Sequence, residues 1–378
     1  MWQVDVHKGP DGLTAVADDW RNLLNKLPRE RYFHNYGWWK AHIETLDPVS
    51  DSVSFFVVRN NGQAVAILPL RRRAKKWVGL PFRQWELPTH LHVPLNDILC
   101  DRDVTTDEVI AALRHALRNH ESGGWDVLIF TGVMEESPLT KLAAGVSGPV
   151  IATLLKTCDY LACEGTYDEV TGKFSRNFRS NLNKARNKLA RELNVEFTSV
   201  TDHAELPHSF SDFLDIEASG WKGAEGTGTA IKLHPDLMKF YQQLIYDFAP
   251  RGRVMINSLK VGGKVIASQF CLKDNDTLYI LKLAYDENWS KVAPGNMLLE
   301  RVIQEGILRK GFQYVNLVGD PPWFKDWQPD SQPVYNIALF NKTPAGLALF
   351  SAMKIKQWLR PFYYRYIRRN HAEKNSRP

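Results

Sequence analysis

The 378-residue chain sets 48 Lys and Arg against 42 Asp and Glu, a formal charge of +6, with 44% hydrophobic and 24% charged residues. This is the balance of a globular protein long enough for two domains with substantial cores, and no apolar run approaches the roughly 20 residues of a spanning helix. Cys100, Cys158, Cys163 and Cys271 are too few and too scattered for a disulfide framework and lack histidines at zinc spacing, so buried thiols and no metal are expected. The start, MWQVDVHKGPDG, has neither the basic end nor the apolar core of a secretory signal, so a cytoplasmic location is expected.

Residues Asp11 to Leu46 carry two helical patterns, the first with Leu23 and Leu24, the second with Trp38, Trp39 and His42. Ser54 to Val58 reads as a strand, Asn61-Gly62 as a two-residue turn and Ala64 to Leu70 as the return strand. After an irregular stretch rich in Trp, Pro and His, Leu95 to Cys100 reads as a short strand, Thr105 to His120 as a helix and Val127 to Phe130 as a strand.

Phe174, Phe178, Leu182, Ala185, Leu189 and Leu193 then form one apolar stripe at helical spacing, with Arg176, Arg179, Lys184, Arg186, Lys188 and Arg191 on the other faces. Such a helix is either a solvated face or a footprint for an anion: the 3′-phosphate of a nucleotide cofactor, a tRNA, or an acidic lipid or polymer. Glu217 ends a further helical segment, and Trp221-Lys222 opens a glycine-rich stretch to Gly228 that reads as a mobile substrate loop or a plain flexible connection.

Val254 to Val261 and Val265 to Leu272 read as strands around the turn Gly262-Gly263, and Leu278 to Tyr285 as the next strand. Asp286 to Ala293 is a loop, Pro294-Gly295-Asn296 opens a helix through Leu298, Leu299, Val302, Ile303 and Ile307, and Tyr314 to Val318 is a strand. The order strand, turn, strand, strand, helix, strand thus occurs twice, from near Ser54 and from near Arg253, which implies a duplicated domain.

The corner before the second of these helices leaves backbone N–H groups at about Asn296 to Leu299 aimed at an anion, with Lys291 close by. The first copy has Asp101, Asp103 and Asp107 there and no glycine, so it would repel a phosphate and more naturally shapes a substrate cleft. From Thr343 on, AGLALFSAMKIKQWLRPFYYRYIRR mixes apolar and aromatic residues with exclusively basic charge, as in an amphipathic segment on an anionic membrane surface or one packed on the body.

Five segments in order, FSRNFRSNLNKARNKLAREL, EASGWKGAEGTGTA, LKVGGKVIASQF, KLAYDENWSKVAPGNMLLE and NLVGDPPWFKDW, resemble the acyltransferase domain of the GNAT superfamily found in CelD/BioF2-like proteins, relatives of the FemAB peptidyltransferases. The resemblance runs from about Phe174 to Trp327 and departs where the family would have Gly-Asp followed by Tyr-Lys; this chain has Pro321-Pro322-Trp323-Phe324-Lys325. It implies an α/β (α+β) fold of two tandem GNAT-like modules, each a mixed, mostly antiparallel sheet flanked by helices. Residues 1–150 would be a module without a cofactor loop, 151–342 the acyltransferase module and 343–378 a basic amphipathic segment.

The resemblance further implies acetyl-CoA or another acyl-CoA held at Lys291, Pro294, Gly295, Asn296, Met297, Leu298 and Leu299. The acyl group would pass directly to an amine or hydroxyl of a small-molecule, saccharide or peptide acceptor, without a covalent enzyme intermediate. Asp320 and Glu217 are candidate bases and Tyr285 a candidate acid for the departing thiolate; Gln269 is a hydrogen-bonding group facing either cleft or solvent. Trp221, Lys222, Lys325 and Trp327 are candidate acceptor contacts. Two other readings stand beside this one: FemAB-like aminoacyl transfer from charged tRNA, and a non-catalytic accessory protein docked on the inner membrane in exopolysaccharide, cellulose or cell-envelope assembly.

Overall fold

The computed structural model describes residues 1–375 except 28, 48–51, 78, 120–123, 146–148 and 193; of 80, 106, 119, 142–145 and 361–375 it describes the backbone alone. His120 and Leu193, the expected ends of two helical patterns, lie outside the described residues. The first half runs β1 (Trp2–Lys8), α1 (Gly9–Ala15), α2 (Ala17–Leu24), α3 (Tyr36–Ala41), β2 (Val53–Asn60), β3 (Gln63–Trp77), β4 (Leu80–Glu86), β5 (Leu99–Cys100), α4 (Thr106–Asn119), β6 (Val127–Met134), α5 (Pro138–Gly145) and β7 (Val150–Ala162). The second runs α6 (Tyr167–Gly172), α7 (Arg176–Leu189), β8 (Val195–Val200), α8 (Leu206–Ser219), α9 (Pro235–Phe248), β9 (Val254–Val261), β10 (Lys264–Lys273), β11 (Thr277–Tyr285), α10 (Pro294–Arg309), β12 (Tyr314–Asn316), β13 (Asp330–Phe340) and α11 (Pro344–Asn375).

Both expected hairpins form. Asn61 and Gly62 take φ of 51° and 82°, and Gly262 and Gly263 take 56° and 79°, the left-handed backbone that two-residue turns require. The strands join one sheet in the order β1-β2-β3-β4-β6-β13-β7-β12-β11-β10-β9-β8, with β5 paired to β3. Read inward from its two ends, the order matches β1 with β8, β2 with β9, β3 with β10, β4 with β11, β6 with β12 and β13 with β7. Among the described residues only β4 with β6 and β11 with β12 run parallel; the other strand pairs are antiparallel. The chain therefore consists of two halves with the same strand order, and they exchange their last strands: β7 leaves the first half to pair with β12, while β13 leaves the second to pair with β6.

The third strand of the first copy is β4, not Leu95 to Cys100, of which only Leu99–Cys100 pairs. Pro81 and the Trp-rich flanks hid β4 from pattern reading. The second helix-borne strand also ends early, at Asn316 rather than Val318.

One hydrophobic core joins the halves on the face covered by α3, α8 and α9: Trp38 meets Phe240 with ring centroids 5.4 Å apart, and Tyr32 meets Tyr279 at 4.8 Å. On the opposite face of the second half, α7 and α10 cover Ile266, Cys271, Leu278 and Val315. The α7 stripe from Phe174 to Leu189 is buried as expected, and its basic residues face outward. All four cysteines are buried and unpaired.

Candidate active site

Parallel pairing of β11 with β12 lasts three residues, from Thr277 with Tyr314 to Tyr279 with Asn316. Beyond it the strands fork. Asn316 Oδ1 accepts the Val318 N–H at 2.7 Å, and Val318 takes φ of 56°, a conformation that costs a β-branched residue about 1–3 kcal/mol and is held by its surroundings. On its other edge β11 stays on β10, but Phe270 pairs with Lys282 and Cys271 with Ile280. Leu281 is the extra residue of a β-bulge, which turns its main chain out of the ladder at the fork.

A cleft of about 400 Å³ occupies this fork. Its walls are Ile280 to Tyr285 on β11, Leu317, Pro321 and Trp323 after β12, and Glu217, Trp221 and Lys222 at the end of α8. Sequence reasoning missed Lys282, although a lysine inside the otherwise apolar strand YILKLAY was a signal. Its ammonium has no ion-pair partner among the described residues, and burial, then the neighbouring Lys222, lower it to about 8. His92 comes from the loop after β4 of the first half and bonds through Nδ1 to Tyr241 Oη at 2.9 Å. Burial, then the charge of Lys282, bring this imidazole down to about 3, so it is neutral.

Glu217 is 4% exposed, and both its oxygens are engaged: one accepts Lys222 Nζ at 3.0 Å, the other the Ile231 N–H at 2.9 Å. It thereby ties the two ends of the glycine-rich segment. That segment is a folded turn rather than a loose loop, because Thr227 N–H bonds Trp221 O at 2.8 Å and Ala230 N–H bonds Lys222 O at 2.9 Å. A Cβ on Gly226 would lie 1.9 Å from Trp221 O, which is why glycine stands there. Trp221 is 60% exposed on the cleft rim, with Lys222 Nζ 5.7 Å from its ring centre.

The start of α10 lies against β11: a Cβ on Gly295 would meet Leu283 Cδ2 at 3.6 Å and Tyr285 Cδ1 at 3.8 Å. Ala293 precedes it with φ of 45°, and no side chain caps the first turn. Met297, Leu298 and Leu299 are buried, and the Met297 N–H donates to Ala293 O at 3.0 Å, so the amides this turn can offer are those of Gly295 and Asn296 and not, as expected, those of Asn296 to Leu299. Lys291 is exposed, and its carbonyl accepts Lys188 Nζ at 3.4 Å, so α7 delivers a second ammonium to this corner. The equivalent helix of the first half, α4, is closed by its own residues: Thr105 Oγ1 accepts the Glu108 N–H at 3.4 Å and Glu108 accepts the Thr105 N–H at 3.3 Å.

Tyr285 stands in the cleft wall, 40% exposed; Asp320 is exposed and does not line the cleft, although its chain neighbour Pro321 does. Lys325 is exposed on the following turn. Two expected site residues belong to the core instead. Trp327 is fully buried, its ring 5.3 Å from both Phe174 and Phe178 and its Nε1 donating to Asn296 Oδ1 at 3.3 Å. It is a core pillar that fixes α7 to the start of α10. Gln269 faces neither cleft nor solvent: it is fully buried, with Oε1 accepting from Asn257 Nδ2 at 3.5 Å.

A search of curated proteins finds no sequence relative. Among solved structures, FemX superposes with a TM-score of 0.54 at 13% identity, covering 88% of this chain and 98% of that one. The C-terminal domain of a putative lysylphosphatidylglycerol synthetase from Agrobacterium fabrum gives 0.51 at 15%, covering 90% and 96%, and L-PGS from Bacillus licheniformis 0.51 at 12%, covering 92% and 98%. At these identities the likeness is one of fold. Residues 176–326, which hold the forked strands, the cleft and the α10 corner, match the family model described as an acetyltransferase (GNAT) domain.

Proposed function

We propose that the chain moves an acyl group from acyl-CoA to an amine or hydroxyl acceptor by direct attack within a ternary complex. The observation that carries this reading is the uncapped first turn of α10, with Gly295 against β11, at the end of an open fork. There the amides near Asn296, with Lys291 and Lys188, would hold the pyrophosphate, and the pantetheine arm would follow the free edge of β11. The second half, residues 151–342 with the exchanged β7, would be the acyltransferase module, and the first half would close the cleft with the His92 loop.

In the reaction the acceptor lone pair adds to the thioester carbonyl, a C–N or C–O bond forms, the C–S bond breaks and the thiolate leaves. Asp320 takes the acceptor proton directly or through water, and Tyr285 returns one to the thiolate. The main chain of the Leu281 bulge and the Lys282 ammonium meet the oxyanion. Trp221, Lys222 and Lys325 would contact the acceptor.

A second reading, aminoacyl transfer from a charged tRNA, is favoured by the outward basic face of α7 beside the same corner and by the folds of FemX and the lysylphosphatidylglycerol synthetases. Thermal-shift and binding measurements with acyl-CoAs separate the two. Bound ligand at a hundredfold excess over Kd adds about 2.7 kcal/mol of apparent stability, and this gain should vanish in Gly295→Asp. The variant itself should fold, since a carboxylate in the first turn favours the helix dipole by about 0.3–1 kcal/mol. No shift with any acyl-CoA, together with tRNA binding that falls steeply with salt, would replace the first reading by the second.

A further inference from the structure

The two basic helices recognised in the sequence are topological counterparts, since α7 follows the exchanged strand β7 with only α6 between them, and α11 follows its counterpart β13. Their apolar stripes end differently. That of α7 is covered, with no stripe residue from Phe174 to Leu189 more than 8% exposed. That of α11 begins in the same way: Leu349 and Phe350 pack over Val127, Ile151 and Phe340. Past Phe350 the stripe stays open to solvent, with Ile355 56%, Trp358 67% and Leu359 46% exposed.

A second element meets it there. The hairpin of β3 and β4 ends in Trp77, which pairs with Leu80 and is 42% exposed. Trp77, Ala348, Ala352, Ile355 and Leu359 line an apolar groove of about 740 Å³ between hairpin and helix.

The charges around this apolar ground have one sign. Arg72, Lys75 and Lys76 on the hairpin and Lys354, Lys356 and Arg360 on the helix are exposed, and no acidic residue occurs from Arg71 to Trp85 or from Thr343 to Arg369. Two segments some 270 residues apart in sequence (77 against 348,) thus bring the same chemistry to one place. We propose that this surface docks on an anionic lipid bilayer, with Trp77, Ile355, Trp358 and Leu359 entering the interface and the six cations against the headgroups.

Tryptophan beside lysine and arginine suits the boundary between headgroup and acyl chain, whereas a nucleic-acid backbone offers nothing for Ile355 and Leu359 to bury against. Among the described residues no helix is long and apolar enough to cross a membrane, so α11 would lie on the bilayer and not through it. None of these residues lines the cleft, so the inference stands or falls separately from the transferase reading.

The test is co-flotation of the full chain with vesicles of phosphatidylcholine alone and of phosphatidylcholine containing a quarter phosphatidylglycerol. Binding is expected to the anionic vesicles only and to weaken with salt. Lys354→Glu with Lys356→Glu should weaken it at least twenty-fold, at about fivefold for each lost charge. Trp77→Ser with Trp358→Ser should weaken it about tenfold or more. All four positions are exposed, so near-UV circular dichroism and acyl-CoA binding should be unchanged. Equal flotation with both vesicle types, or variants that float like wild type, would overturn the proposal. So would a concentration-dependent dimer abolished by the tryptophan substitutions, which would make a second copy the occupant, or tRNA binding at this face without vesicle binding.

Discussion

Lys282 shows how one side chain sets the electrostatics of a site. It sits in a strand whose neighbours are apolar, beside Lys222 and the neutral His92, and its amine is held near 8. In its proposed role as the ammonium that meets a developing oxyanion, it should give the wild-type rate a falling limb above about pH 8. In Lys282→Met that limb should disappear and kcat should drop on the order of a hundredfold. A rate that rises through pH 8 in wild type would assign the lysine to the base instead. The same substitution has a stability signature. An amine whose folded value lies below its unfolded value, near 10.4, makes the protein less stable wherever the unfolded chain carries the charge and the fold resists it. Lys282→Met should therefore be more stable than wild type at pH 7, by about 1–3 kcal/mol, and the advantage should fade as pH rises to 10. Trp327 gives the opposite case, a residue whose motif suggested contact with the acceptor but whose ring is core. Trp327→Ala should cost about 3–5 kcal/mol in denaturant unfolding. A loss of acceptor affinity at unchanged stability would restore the binding role.

At the scale of elements, the contrast between α4 and α10 explains why the halves differ in use although they share a topology. A helix start whose Thr105 and Glu108 N–H groups are taken by each other's side chains has fewer donors to offer, whereas one preceded by Ala293 in a left-handed conformation and opened by Pro294-Gly295 has no such capping side chain at its N-cap. This difference was legible in the sequence as Pro-Gly-Asn against three acids. So were the hairpins, because Asn-Gly and Gly-Gly tolerate positive φ, and the α7 and α10 stripes, because burial leaves a helical period. What could not be read lay where tertiary pairing overrides local pattern. β4 carries a proline, and β7 and β13 alternate weakly because each is gripped by the other half of the sheet. The strands that make the fork were visible, but the fork was not: it depends on where β11 and β12 stop pairing and on the Leu281 bulge, and neither feature has a compositional mark. Lys282 enters the site through that geometry, with His92 near enough to feel its charge. His92 is supplied by the other half of the chain and had no partner spacing to betray it.

Exchange of the last strands carries one sheet through both halves of the molecule, and the seam between them is polar as well as aromatic. Arg31 Nη1 donates to Tyr279 Oη at 2.6 Å, Arg29 pairs with Asp276 at 2.7 Å, and the Tyr32 N–H donates to Asp274 Oδ2 at 2.7 Å. Asp274 is 5% exposed, and its second oxygen has no hydrogen-bond partner among the described residues. Burial pushes this carboxyl up to about 7, against the pull of the Tyr32 amide and of Arg253 and Arg31. Its folded value thus lies above the unfolded one, near 4. The stability tied to its proton is complete below about pH 4 and is lost as pH rises through 7. Asp274→Asn keeps an oxygen for the Tyr32 N–H but has no charge to bury. The difference in unfolding free energy between Asp274→Asn and wild type should therefore grow in favour of the variant from pH 5 to pH 8, by on the order of 2 kcal/mol. Urea unfolding across that range measures it. Parallel curves would mean that Arg31 and Arg253 hold the carboxylate ionised throughout, and the seam would then be an ion-pair network indifferent to pH.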